Sequence, residues 1–599
     1  MKLKNIFLAL TAASFALASC STMDQPAQSE YDDQVVFTTP ALAQHAVNAI
    51  YDAYTIMASY RTDWMMYYGA NTDVEVWINS TSNTSDRNLV CKYVVRPNDS
   101  TLDKNNYQYI YGGNMQCIER ANVVIAGFEK HADLEHSQPL RDLYGEALTV
   151  RAMLYLDLIH YYGEVPARFT PNTNETTYLP NVNRDIIYKQ LLSDLKKAAD
   201  VMSYKSVINA VHASKACAQG IYARIALEAA GSSLRCDDDK WNTGDPGHIG
   251  YTNDPVLKDG KGTYATALAG LEEAIKDSGF KLEENFVDIW KFLANRRYEA
   301  GHEFVFQLPF SDSRGQFFYH NYTPDLKRWP DGKTTRKALN PVLYFKYDPD
   351  DIRRDITCSP FQYENNQAVI SGVKVSKMYM GKYRLKYAED KVVFTGSDDG
   401  IKAPYLRLGD MYLMAAEIAN ELGQLEKAKS YLKPILDRAY KNTPEKVTSI
   451  LSGLSDHDSF LSCIQDQRMF ELAGEMLRKQ DLIRWGILKA KLDEAKADME
   501  SLKNRKNQYS GWSNDLYYRP KPGDPTEFEI WPLSSTENPT VTDKSGGWKK
   551  QSSYLSGLDS NLYNYLYQTG INPEQNMWRP IPSTIITSYR GVMKNDFGY

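Results

Sequence analysis

The chain has 599 residues, 43% of them hydrophobic and 24% charged, with 69 basic against 75 acidic side chains and a formal net charge of −6. That length allows a large core or several domains, and an acidic balance without a basic stripe argues against nucleic acid as a ligand. The chain also carries 42 Tyr and 10 Trp, residues that join a broad apolar face to one polar handle and suit either a core or a surface that grips a polar ligand.

The N-terminus opens with Lys2 and Lys4, followed by an apolar run from Ile6 to Ala18 broken only by Thr11 and Ser14. A membrane span needs roughly 20 apolar residues, so this shorter run reads as the hydrophobic region of a secretory signal over residues 1–19. It ends in Leu17-Ala18-Ser19-Cys20, which resembles a bacterial lipobox. That resemblance implies cleavage before Cys20 and attachment of lipid to its thiol and its new amino group. Each buried CH₂ contributes about 0.8 kcal/mol, so several acyl chains on one residue would hold the protein at a membrane. The polar segment after it, within residues 20–37, reads as a flexible tether. No later run is long enough to span a bilayer. Cys91, Cys117, Cys217, Cys236, Cys358 and Cys463 form no CxxC pair. They give a zinc cluster no support and read as small buried apolar groups. An oxidising compartment would permit disulfides, which the sequence does not assign.

Helical periodicity dominates residues 38–235. "RDLYGEALTVRAMLYLDLIHYYGEVP" places Leu143, Ala147, Val150 and Leu154 on one face, and Gly163 and Pro166 stop that helix. Residues 185–202 and 213–230 form another helical pair. Residues 236–402 are rich in Gly, Pro, Asp and aromatics, and are predicted to be irregular with short helical or strand-like patches such as "HEFVFQLPF". In residues 403–599, Tyr412, Ala416, Gly423, Ala428, Leu432 and Ile435 fall at the spacing of a tetratricopeptide hairpin. There the alanines let two helices approach and the glycine permits the turn; a generic helical hairpin is the competing reading. Residues 509–578 are again irregular, and long irregular insertions in a helical scaffold are where binding function concentrates.

Four stretches occur in order: "GEALTVRAMLYLDLIHYYGEVP", "YLRLGDMYLMAAEIANELG", "IQDQRMFELAGEMLRKQDLIRWGIL" and "PIPSTIITSYRGVMKNDFGY". Together with the lipobox they resemble the SusD/RagB family of Bacteroidetes outer-membrane lipoproteins over nearly the whole chain. The departures are Gln467-Arg468, where the family usually has Glu-Arg, and the ending Lys594 to Tyr599, where a QNPGY-like tail is usual. The resemblance implies a mainly α fold in which tetratricopeptide-like hairpins support an irregular, loop-rich binding half with minor β. It also implies a cell-surface lipoprotein that sits on a SusC-like TonB-dependent transporter and captures oligosaccharides, or in some members peptides. No cofactor or metal is implied.

A sugar offers an apolar C–H face and a rim of hydroxyls, so a binding site should combine flat rings with Asp, Asn, Arg or Gln. Two clusters qualify. "RTDWMMYYGANTDVEVWIN" supplies Trp64, Tyr67, Tyr68 and Trp77 with Asn71, Asp73 and Asn79. "GQFFYHNYTPDLKRWPDG" supplies Phe317, Tyr319, Tyr322 and Trp329 with Asn321 and Arg328. For any one of these rings, core packing is the competing reading. Arg478, Asp481 and Arg484, at steps of three, read as a structural ion network. "HADLEH" fits neither H-x-x-E-H nor H-E-x-x-H, and no G-x-S-x-G, P-loop or dinucleotide fingerprint is present. "CDDDKWNTGDPG" fails EF-hand spacing and reads as a solvated acidic loop. The reading is non-catalytic binding. A peptide-uptake lipoprotein, a helical protein-binding scaffold and a glycoside hydrolase with paired carboxylates distant in the chain remain the alternatives.

Overall fold

The structure is a computed structural model that describes residues 32–56, 59–61, 67–78, 86–99, 109–206, 209–329, 335–370, 373–394, 397–531, 546–559, 562 and 566–599. Two short helices, Asp33–Thr38 and Pro40–Asn48, open it. The first lies inside the segment read as a tether. Its Phe37 ring is buried edge-on against Phe128, so Asp33–Thr38 belongs to the folded body rather than to a tether.

The scaffold is a run of helices in which each packs on the next: α1 (Ile110–His131), α2 (Gln138–Tyr162), α3 (Arg184–Val201), α4 (Lys215–Ala230), α5 (Tyr264–Asp277), α6 (Leu408–Glu421) and α7 (Leu425–Ala439). A further helix, α8 (His457–Leu472), returns onto α6. In α2 the predicted face of Leu143, Ala147, Val150 and Leu154 is buried, and so are Glu146, Thr149, Arg151 and Asp157 on its other sides. The reason is that α1, α3, α4 and Pro40–Asn48 all pack on this helix. Buried polar groups must be paired, and these are: Arg151 donates to Asp194 of α3 (2.6 Å) and Asn122 of α1 (2.9 Å), while Tyr51 donates to Glu146 (2.5 Å). Gly163 ends α2 at φ 72°, where a Cβ would also meet Phe597 at 2.8 Å and Trp578 at 3.0 Å.

The α6–α7 hairpin matches its predicted spacing. Ala416, Ala428, Leu432 and Ile435 are fully buried and Tyr412 is half-buried. Leu432 and Ile435 contribute roughly 1.5–3 kcal/mol each by leaving water. Gly423 sits in the turn at φ 71° with open space around it, so the position requires the left-handed backbone rather than a small side chain. One expectation needs correcting. The 236–402 stretch contains α5, whose Tyr264, Ala267, Leu268, Leu271 and Ala274 are buried, and which fills the scaffold between α4 and α6.

Among the described residues the sheets have two or three strands and every pairing within them is antiparallel. Glu75–Trp77 pairs with Lys337–Leu339, Phe304–Gln307 with Pro404–Arg407, and Leu516–Lys521 lies between Asp524–Ile530 and Lys549–Gln551. The irregular half joins the helices through buried ions. Arg407 donates to Glu303 (2.8 Å), Glu471 (2.7 Å) and Glu475 (2.7 Å), and Arg438 of α7 reaches Glu303 and Glu471. Burial pushes the Glu471 carboxyl upward, but Arg438, Arg407 and Arg353 outweigh it and hold that group well below the usual carboxylate range. All six cysteines after Cys20 are free thiols, four of them buried.

Candidate functional site

The pairing of Glu75–Trp77 with Lys337–Leu339 puts Trp77 opposite Lys337, and it brings the two aromatic clusters of the sequence together. Tyr67 and Trp77 meet edge to face (centroids 4.0 Å), and each lies about 6.5 Å from the His320 ring (6.4 and 6.5 Å). His320 neighbours Tyr319 (5.1 Å). Trp329 then packs against Tyr319 (6.1 Å), Tyr322 (5.0 Å) and, in parallel, Phe394 (5.2 Å). Arg336 ties the halves: its guanidinium lies over Tyr319 and donates to the Tyr67 hydroxyl at 3.2 Å.

This patch is largely interior. Tyr67, Tyr68, Asp73, Trp77, Tyr319, Asn321 and Trp329 are all at most 9% exposed, Tyr319 being the most exposed of them. Their polar atoms are spent internally. Asp73 accepts two bonds from Arg478 (2.9 and 2.6 Å), the Trp77 indole donates to Asn88 (3.0 Å), and Asn321 donates to the Phe317 carbonyl (2.7 Å). Arg328 is half-buried and donates to Asn366 and to the Leu385 and Ala388 carbonyls. Tyr68 turns away from the patch. It stacks on Tyr161 (4.9 Å), donates to the Met577 carbonyl and covers the Lys479 ammonium (4.4 Å). Burial, seconded by Arg579, lowers that ammonium to about 7. Trp64 and Asn79, like Cys20, lie outside the described residues.

The predicted ion network exists with a different pairing. In α9 (Arg478–Arg484), Asp481 accepts from Arg484 (2.8 Å) and from Arg468 of α8 (2.8 Å), whereas Arg478 reaches across to Asp73. Asp410 of α6 lies between Arg468 and Arg224 of α4, 2.8 Å from each. Next to these ions is a cavity of about 60 Å³ lined in part by Asp157, His160, Glu228 and Glu475. That is room for a few waters and not for a sugar ring. Burial raises the Asp157 carboxyl to about 7 against the pull of His160 and of the Tyr60 and Tyr405 hydroxyls. Glu228 is bound to His160 (2.7 Å), and Glu475 to Lys382 and Arg407.

Sequence reasoning missed a second group of rings. At the ends of the two outer strands of the three-stranded sheet, Trp531 and Trp548 meet edge to face (5.2 Å), both half-buried, and Arg519 lies over Trp548 (4.5 Å) while pairing with Glu529. The signal available was the placement of these tryptophans in the irregular 509–578 stretch.

Residues 356–599 match the family model described as "SusD family", and residues 24–227 match one described as "Starch-binding associating with outer membrane". The chain belongs to the SusD/RagB family. A SusD-like protein, P25, of Formosa agariphila is 26% identical over 415 residues, 62% of this chain and 69% of that relative. A SusD homolog from Bacteroides thetaiotaomicron superposes with a TM-score of 0.65 at 18% identity, covering 80% of this chain and 92% of the other. Surface glycan-binding protein A of the same organism, solved with laminarihexaose, gives 0.57 at 16% identity, covering 94% and 100%. These likenesses establish the mainly α, tetratricopeptide-like fold with its irregular half. Among the described residues no helix is long and apolar enough to cross a membrane.

The family's C-terminal tail has a mechanical role here. The Asp596 carboxylate accepts from the backbone N–H groups of Asn242, Thr243 and Gly244 (2.7–3.0 Å), and Tyr599 donates to the Trp578 carbonyl. Asp596 thus supplies the carboxylate that pins the loop after α4.

Proposed function

We propose that this chain is a lipid-anchored outer-membrane protein that binds oligosaccharides and delivers them to a SusC-like TonB-dependent transporter without cleaving them. The observation that carries the reading is the match of residues 24–227 to a model described as starch-binding and associating with the outer membrane. The relative crystallised with laminarihexaose supports a glycan as the ligand class. The lipobox-like Leu17 to Cys20 supports anchoring through Cys20.

Within this reading the buried Tyr67, Trp77 and Trp329 are the foundation of the binding surface. Arg328 and Arg336, both half-buried, are the side chains of the patch that meet the ligand, and Trp64 is a further candidate from the sequence. A rigid aromatic base holds such groups in place before binding and so lowers the ordering cost of association. Calorimetric titration of the mature protein against a glycan panel tests this, with binding and no turnover expected. Binding to peptides with none to any glycan would refute the ligand class, and hydrolysis of a bound oligosaccharide by pure protein would refute the non-catalytic role. For the anchor, Cys20→Ser is expected to move the protein from the membrane to the soluble fraction, and its retention at the membrane would refute lipidation there.

A further inference from the structure

The loop after α4 builds a small cleft apart from the aromatic patch. A hairpin of Ser233–Arg235 and His248–Gly250 forms one side. Trp241, half-buried, and Tyr251, 59% exposed, both line the cleft, together with Arg235, Asp185, Asp238 and Asn253. Its base encloses about 30 Å³, enough for one or two waters or a hydroxymethyl group. The loop is held in place before any ligand arrives, because Asp596 fixes the three backbone amides just after Trp241.

Arg235 gives the cleft its polarity. The residue is only 6% exposed. One terminal nitrogen donates to Asp185 (2.8 Å) and the other to the Ala229 carbonyl (3.4 Å), while Nε has no hydrogen-bond partner among the described residues. A buried donor left unpaired costs about 1–3 kcal/mol, and Arg235 lines the cleft, so an acceptor that reaches its buried Nε would relieve that cost. Glu164, Asp185 and Asp238 line the same cleft with Arg235 and His248; Glu164 is paired with Arg184 (2.7 Å) and Asp185 with Arg235 (2.8 Å), while Asp238 accepts from Asn253 (3.4 Å). A hydroxyl both accepts and donates, and can therefore satisfy Arg235 and a carboxylate together. An anionic group could only accept and would face the carboxylates.

We propose that this cleft is a saccharide subsite that takes the hydroxymethyl arm of a neutral hexose, with the sugar ring against Trp241 or Tyr251. The proposal rests on the glycan-binding reading and adds to it a second contact point and a charge preference. The test is calorimetric titration of the full lipoprotein in detergent with a panel of neutral oligosaccharides, including laminarihexaose and maltohexaose, and with trigalacturonate as the anionic probe. Two binding events are expected for a neutral ligand, one of which Tyr251→Ala and Trp241→Ala each abolish. Trigalacturonate is expected to bind at least tenfold more weakly. Arg235→Lys keeps the charge but lacks Nε, and should weaken the same event. Tyr251 is exposed, so its alanine variant keeps the fold. Both events persisting in the variants, or a single event that they leave unchanged, would overturn the subsite while leaving glycan binding intact. Tighter binding of trigalacturonate would overturn the charge preference. Absence of binding to every saccharide by the unmutated protein would overturn the glycan reading and the subsite with it.

Discussion

The scaffold's dependence on buried charge is testable at Asp410. This carboxylate is fully buried in α6, 2.8 Å from Arg224 of α4 and 2.8 Å from Arg468 of α8. Asp410→Ala would leave the buried Arg224 without its carboxylate and Arg468 with Asp481 alone, a loss that costs about 3–5 kcal/mol. At about 2.1 cal/mol/K per residue, unfolding of all 599 residues as one unit carries an entropy of about 1.3 kcal/mol/K, so the melting point should fall by about 3 °C. Burial alone would raise the carboxyl, but Arg468 and Arg224 hold it at about 2. An unfolded Asp titrates near 3.9, so about 2–3 kcal/mol of stability is linked to its ionisation. Because the folded value is the lower one, that contribution is fully present above about pH 4 and drains away as pH falls toward 2. Asp410→Asn keeps the shape and removes the titration. It should melt lower at pH 7 and lose stability less steeply between pH 4 and 2. Circular dichroism melts across that range decide the matter. Asp410→Ala melting within half a degree of the parent, or Asp410→Asn keeping the parent's acid slope, would refute the clamp.

Three further outcomes follow from named geometry. Trp329→Ala should cost about 3–5 kcal/mol by opening a cavity beneath Phe394 and Tyr322; unchanged stability with lost glycan affinity would return Trp329 to the ligand surface. Gly423→Ala should destabilise by about 1–2 kcal/mol through the positive φ alone, and a neutral result in urea unfolding would show that the turn relaxes. His212 Nδ1–H donates at 2.7 Å to the Glu146 carboxylate, a contact that raises its pKa against the opposing effect of burial. The stability it adds is complete below about pH 6.5 and fades as pH rises through the folded value. His212→Gln should flatten the melting-point profile over that window, and an unaltered profile would refute the assignment.

The helical frame was legible wherever one apolar stripe repeated at steps of three and four, as in α2 and the α6–α7 hairpin. The same stripe is present in α5, at Ala267, Leu268, Leu271 and Ala274. There the surrounding Gly- and Asp-rich sequence suggested an irregular region and hid it. What local pattern does not encode is partnership at long range. Arg478 fits an ion row on its own helix, yet its carboxylate partner is Asp73, 405 residues away. Both aromatic clusters were visible as compositions, but only the pairing of Val76 with Ala338 makes them one patch. The burial of that patch follows from the residue type itself. Tyrosine and tryptophan gain as much from a packed neighbour as from a sugar, so their abundance marks a place without choosing between the two. A different asymmetry separates the cases. In the loop after α4, Tyr251 remains exposed in a cleft that Asp238 and Asn253 also line, and Arg235 keeps a donor that the protein does not use. Under the proposed subsite, an exposed aromatic ring beside an unspent donor is a better guide to ligand contact than aromatic density, because a folding core has no use for either and a ligand rich in hydroxyls does.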